Sequence, residues 1–111
     1  MTGLRVGQVI KLRPEKRDEY LKLHADAWPD VLRAIERAGI RNYSIFLREP
    51  EMLMFGVFEY HGTDFEADMA HMAADEAVRR WWALTDACQE KLPTAEDREW
   101  WASMREVFFH R

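Results

Sequence analysis

The chain has 111 residues, 48% of them hydrophobic and 32% charged, with a net charge of −4. That length and composition predict one globular domain, residues 1–111, with a single core, and exclude a disordered or fibrous chain. The charges are mixed and no basic block occurs, so an ordinary nucleic-acid-binding surface is excluded as well.

The longest apolar run, MLMFGVF, is far short of a membrane span. The opening MTGLRVGQVI carries neither a long apolar block nor a small-residue cleavage site, which predicts a cytoplasmic protein. The only cysteine, Cys88, has no partner for an internal disulfide, consistent with a reducing compartment. It has no basic neighbour at close spacing and reads as a packing residue.

Residues 4–12, LRVGQVIKL, alternate as a half-buried strand, with Leu4, Val6, Ile10 and Leu12 on one face together with Gln8. Pro14 suits the first turn of a helix, and Glu15, Asp18 and Glu19 favour its N-terminal dipole. The helical pattern runs from 15 to 38 and stops at Gly39, with Pro29 either kinking it or opening a second helix. Residues 42–48 and 52–60 read as strands joined by the short acidic link EPE, and Gly56 leaves room for a bulge or a close approach. TDFE, residues 63–66, is a capping-box pattern. The helical stretch after it has two registers. Phe65, Met69, Met72 and Ala73 share one face, whereas Ala77, Trp81, Leu84 and Cys88 lie roughly 80–100° away. A break near AAD follows, with Asp75 capping a second helix that runs to about residue 91. Pro93 ends that helix, the loop PTAEDREWW follows, and residues 104–110 read as a last strand.

The order strand, helix, strand, strand, helix, strand predicts an α+β, ferredoxin-like β-α-β-β-α-β sandwich with helices on one face of an antiparallel sheet. The strands carry apolar residues on both faces, Val9, Phe55 and Val57 among them. One-sided helix cover with two-sided hydrophobicity predicts a ligand cavity, a dimer, or both.

On a helical wheel Tyr20, His24, Trp28, Val31, Ile35, Leu21 and Leu32 fall within an arc of roughly 120°. His24 sits near the middle of that arc and points inward. An isolated inward histidine is ordinarily a satisfied core residue. A tyrosine one turn before it and a tryptophan one turn after it make a pocket wall, and imidazole exchanges protons near neutral pH. Trp28 itself reads as packing.

Five tryptophans include two adjacent pairs. Neighbouring helical residues point about 100° apart, so Trp81 continues the buried face and Trp82 turns to its flank. Something must cover Trp82: a ligand, the C-terminal segment or a second subunit. Trp100-Trp101 poses the same question. Tyr43 reads either as a strand-edge aromatic or as a pocket residue. Glu59 and Glu106 fit an outward strand face as well as a supporting role. His61, His71 and His110 have no metal-ligand spacing, and the sequence contains no HExxH, GxSxG or glycine-rich phosphate loop. Nothing in it points to a metal, a nucleotide, another cofactor or a covalent nucleophile.

These pieces resemble the L-rhamnose mutarotase family along nearly the whole chain. The resemblance is carried by DEY…H…WP (Asp18-Glu19-Tyr20, His24, Trp28-Pro29), NY.I.L (Asn42-Tyr43, Ile45, Leu47), RWW (Arg80-Trp81-Trp82) and EVF (Glu106-Val107-Phe108). It implies a dimeric α/β-barrel type of ferredoxin-like fold and cofactor-free exchange between the α and β anomers of a six-deoxy sugar, L-rhamnose first. It also implies His24 as general acid/base and Tyr20, Tyr43, Trp81 and Trp82 as sugar-binding residues. L-fucose is the alternative sugar. A dimeric α/β-barrel binding protein or small-molecule oxygenase is the alternative from another class.

Overall fold

The computed structural model describes residues 4–111. Strand β1 (Leu4–Leu12) leads through a 3-10 turn, Pro14–Lys16, into α1 (Arg17–Ala25), and α2 (Pro29–Arg37) follows. Strands β2 (Ile40–Arg48) and β3 (Leu53–Tyr60) come next, then α3 (Phe65–Ala74), α4 (Glu76–Cys88), β4 (Gln89–Glu90) and β5 (Ala102–Met104). The sheet order is β2-β3-β1-β4, with β5 also pairing β1, and every pairing is antiparallel. This is the expected ferredoxin-like order, with each helix divided in two and the last strand split around a loop.

Both helix breaks have local causes. Proline cannot continue α1, and Trp28 adopts an extended conformation before Pro29, which takes the first turn of α2. Gly39 ends α2 at φ 86°, a left-handed position that favours glycine. The Asp64 carboxylate caps α3 by accepting from the Ala67 N–H at 3.2 Å, so the cap is Asp64 rather than Thr63. Asp75 caps α4 in the same way through the Val78 N–H at 3.2 Å, as expected from AAD.

The break after Ala25 takes Trp28 off the stripe of Tyr20 and His24, and it leaves Leu21 and Leu32 exposed. A single continuous helix would place all of them on one face. The inner face of α4 is Val78, Trp81, Thr85 and Cys88, and Leu84 is exposed instead of buried. This helix ends at Cys88 because Gln89 and Glu90 leave it to pair with Leu12 and Lys11 of β1. The last strand is Ala102–Met104 and not 104–110. Beyond it the segment 105–111 runs unpaired, with Val107 and Phe108 exposed.

Alternation places the core between sheet and helices. Ile10, Leu12, Tyr20, Met54 and Cys88 pack at one end, with Ile45, Leu47 and Trp101 against them. Ala38, Ile40 and Phe58 pack at the other with Ile35, Phe65, Met69 and Met72. Cys88 is fully buried, its Sγ–H donates to the Leu84 carbonyl, and burial pushes the thiol pKa up, as expected of a packing residue. Gly56 allows the Trp101 ring to cross the sheet, since a Cβ there would lie 3.3 Å from it. The bulge falls elsewhere, between Arg41 and Ser44 of β2, where Asn42 takes φ 53°.

The opposite sheet face carries Val9, Phe55 and Val57, all half-buried, and Phe46, which is 63% exposed. At one end of it Arg5 holds Glu59 at 3.4 Å and Glu106 at 2.8 Å, with its guanidinium over the Phe109 ring at 4.4 Å. No helix among the described residues is long and apolar enough to cross a membrane.

Asp75 both caps α4 and accepts from Arg37 at 3.3 Å. Asp75→Ala is expected to cost about 0.5–2 kcal/mol, the range for a lost N-cap, read by chemical denaturation. A change below that range would mean that packing alone fixes the start of α4.

Candidate active site

One turn of α1 sets Tyr20 and His24 on the same side of the helix, facing α4 and the sheet. Their rings stack with centroids 4.1 Å apart. Trp81, from the inner face of α4, meets His24 edge-on at 5.1 Å and Trp28 at 5.2 Å. Such aromatic contacts contribute about 0.5–1.5 kcal/mol each beyond area burial, which is enough to fix ring orientation.

The His24 Nδ1–H donates to the Tyr20 carbonyl at 3.0 Å. A carbonyl only accepts, so the bond holds the proton on Nδ1 and leaves Nε2 with its lone pair. Burial lowers the His24 pKa from the usual imidazole value, and the Tyr20 carbonyl opposes that shift in part. The ring is therefore a neutral base at neutral pH, its basic nitrogen on the side away from its own helix backbone.

Tyr20 is buried, and its hydroxyl oxygen accepts from Gln89 Nε2 at 3.2 Å. Burial raises its pKa well above the ordinary phenol range. Tyr43, from β2, is an electrostatic neighbour of Tyr20 and packs edge-on against Phe58 at 5.3 Å. Although 38% of its surface is open, its hydroxyl end is desolvated beside Gln8, and its pKa is pushed up to about 12. Both tyrosines are thus neutral hydroxyls that donate and accept hydrogen bonds across the neutral range.

Of the expected site residues, the structure brings Tyr20, His24 and Trp81 into direct contact and sets Tyr43 on β2 against Phe58. Trp82 stands apart, 38% exposed on the flank of α4, as its 100° offset from Trp81 predicts. Trp100 and Trp101 return to the same end of the sheet. The Trp100 indole donates to Gln89 Oε1 at 2.7 Å, and Trp101 packs over Gly56. Gln89 is hidden in the sequence, because the helical pattern runs through it and a two-residue strand has no periodicity to reveal it. Glu59 and Glu106 lie on the opposite sheet face with Arg5, away from this cluster.

Two surface clefts, of about 270 and 300 Å³, lie elsewhere. One is bounded by Arg37, Asp68, His71 and Asp75, the other by Trp28, Asp30, Arg33 and Arg80. Their charged walls are largely paired internally, through Arg37–Asp75, Arg33–Asp30 and Arg80–Glu76. The His24 cluster is the place where a base, hydroxyl donors and aromatic faces meet.

Fold and cluster together define a small ferredoxin-like α+β protein with a histidine, two tyrosines and a tryptophan gathered between its helices and its sheet. A family model described as L-rhamnose mutarotase matches residues 5–110. An L-rhamnose mutarotase of Mesorhizobium japonicum is 33% identical over 91% of this chain and 90% of its own length. The L-rhamnose mutarotase of Lactiplantibacillus plantarum is 32% identical over 95% and 96%. The crystal structure of L-rhamnose mutarotase FA22100 from Formosa agariphila superposes with a TM-score of 0.76, at 23% identity, over 97% of this chain and 99% of that one, which supports the fold. The chain belongs to the L-rhamnose mutarotase family, a family of enzymes. The expected resemblance is borne out.

Two-dimensional NMR of imidazole nitrogens checks the state of His24. The expected result is a ring protonated on Nδ1 that titrates below the ordinary imidazole value of about 6.5. Titration above that value, or a proton on Nε2 in the neutral ring, would contradict the geometry.

Proposed function

We propose that this protein is a cytoplasmic L-rhamnose mutarotase that interconverts the α and β anomers with His24 as its general acid/base and without a cofactor. The observation that carries the reading, beside family membership, is a neutral imidazole with its Nδ1–H committed to the Tyr20 carbonyl. Its free Nε2 accepts the proton of the anomeric hydroxyl O1 as the bond between C1 and the ring oxygen breaks. A tyrosine hydroxyl or a water molecule gives a proton to the ring oxygen. The open aldehyde turns about C1–C2, and reclosure on the other face returns both protons. The sequence of steps is balanced and needs no redox partner.

The surrounding residues fit the sugar's chemistry. Tyr20 and Tyr43 offer hydroxyls, the exposed face of Trp82 offers apolar surface to the C–H face of a six-deoxy pyranose, and the buried Trp81 holds the His24 ring edge-on. Only a modest acceleration is required, since anomers already exchange in water. General acid–base catalysis supplies about 10²–10⁴-fold.

The helix-free sheet face suits a second copy of the chain. Val9, Phe46, Phe55 and Val57 form an apolar surface there, as in a homodimer built sheet to sheet.

Saturation-exchange NMR on L-rhamnose tests the activity. The protein is expected to accelerate exchange, with His24→Ala losing about 10²-fold or more. An unchanged rate in that variant would remove His24 from the mechanism. Acceleration of L-fucose exchange with none for L-rhamnose would transfer the activity to the other sugar. The assembly is tested separately by light scattering, where Phe46→Asp is expected to shift a dimer toward monomer. A monomer in the unsubstituted protein would refute the sheet-to-sheet pairing.

A further inference from the structure

The pair Gln89 and Trp100 is unexplained by packing. Gln89 is 3% exposed on a face otherwise built from Ile10, Leu12, Tyr20 and Cys88, where an apolar side chain would serve a purely structural purpose. Its amide instead joins residues from three separate parts of the chain: Tyr20 of α1, Gln89 itself in β4, and Trp100 at the end of the loop before β5. That loop is stitched down. The Lys91 ammonium donates to the carbonyls of Glu96 and Asp97, and Glu99 accepts from the Ser103 hydroxyl at 2.7 Å.

We propose that Gln89 and Trp100 are positioning residues which fix the polarity of the Tyr20 hydroxyl, so that its proton is presented to the ring oxygen of the sugar. The proposal rests on the mutarotase reading above and names the donor that complements His24.

The direction of the chain of bonds follows from the donor inventory. An indole N–H donates and cannot accept, so it captures the Gln89 oxygen at 2.7 Å. The Gln89 amide nitrogen is then the end that faces Tyr20, and it donates to the hydroxyl oxygen at 3.2 Å. A hydroxyl that accepts on that side keeps its single proton for a different acceptor. If Gln89 were flipped, its NH2 would face the indole N–H and leave two donors opposed in a buried place, with a bond unmade. Trp100 therefore sets Gln89, and Gln89 sets Tyr20.

Protons balance across the step. As C1–O5 breaks, His24 Nε2 takes the O1 proton and Tyr20 gives its proton to O5. On reclosure O5 returns its proton to the Tyr20 phenolate and His24 gives its own to O1. Burial disfavours ionisation of Tyr20, so the phenolate is transient and takes its proton back on reclosure. The titratable groups around Tyr20 are His24, stacked on it from the same helix at 4.1 Å, Tyr43 of β2, and Cys88 and Asp86 of α4; burial lowers the pKa of His24 and raises that of the other three.

Gln89→Glu inverts the polarity. A carboxylate at 89 accepts from Trp100 and from Tyr20 alike and draws the Tyr20 proton away from the sugar. Protonation of that carboxyl restores a donor toward Tyr20. The readout is the L-rhamnose anomer-exchange rate of Gln89→Glu divided by that of the unsubstituted protein, each first corrected for the neutral fraction of its own His24 from imidazole NMR titration. The ratio is expected near one tenth at about pH 8, the rate equivalent of about one hydrogen bond, and should climb as the pH falls toward about 5. Trp100→Phe keeps the ring and removes the N–H. It should lower the rate at saturating sugar with little change in KM, and its melting temperature reports the fold.

A Gln89→Glu ratio near one at every pH overturns the proposal. So does a low ratio that stays flat with pH while Trp100→Phe matches the unsubstituted protein, since that pattern is a packing defect. If the unsubstituted protein itself fails to accelerate exchange, the mutarotase reading fails and the relay fails with it. That failure is seen before any variant is measured.

Discussion

A hydrogen bond of 3.0 Å inside one turn of α1, from the His24 imidazole to the Tyr20 carbonyl, sets the chemistry of the whole cluster. Residues four apart on a helix lie one above the other, so the sequence spacing alone delivers the ring to that carbonyl. The bond selects the tautomer, burial keeps the ring neutral, and stacking on Tyr20 fixes its plane. Everything that packs against α1 then serves to keep this turn in place. Trp81 supports the imidazole from α4, and Trp28, beyond the helix break, supports Trp81.

The division of the helices makes that support possible. A continuous helix through residue 35 would carry Trp28 on the same stripe as Tyr20 and His24, pointing beside them. With the break at Asp26–Trp28 the Trp28 ring comes to the edge of Trp81 from the side. Asp75 does the equivalent for the second helical pair. It restarts the helix in a register that buries Val78, Trp81, Thr85 and Cys88 and turns Trp82 outward. The sheet supplies the rest from its helix side: Gln8, Tyr43 and Gly56, with Trp101 laid across the glycine. Its other face is left apolar, and the tail beyond Met104 leaves Val107 and Phe108 open to solvent.

Much of this was legible in the sequence, and the exceptions are instructive. Period-two alternation reveals β1, and the apolar run MLMFGVFEY after the acidic link EPE reveals β3. Proline, glycine and aspartate marked the ends of α1, α2 and α3, because those residues act through local backbone chemistry. The errors came where tertiary pairing overrode local pattern. Gln89 and Glu90 continue a helical pattern, yet they pair with β1. The run MREVFFH has strand-forming residues, but after Met104 it has no strand beside it in the chain. The candidate site follows the same rule. Tyr20, His24 and Trp81 were visible because helical spacing fixes where they point, whereas the amide linking Tyr20 to Trp100 depends on two segments meeting across the sheet edge.

The proposed chemistry requires one sugar against the cluster with its anomeric end at His24. A crystal structure of the protein with L-rhamnose bound tests it most directly. The anomeric oxygen is expected within hydrogen-bonding distance of His24 Nε2, about 2.6–3.2 Å, and the ring oxygen on the side of Tyr20. L-rhamnose seated instead in the cleft beside Trp28, Arg33 and Arg80, with His24 Nε2 contacting only protein, would contradict it.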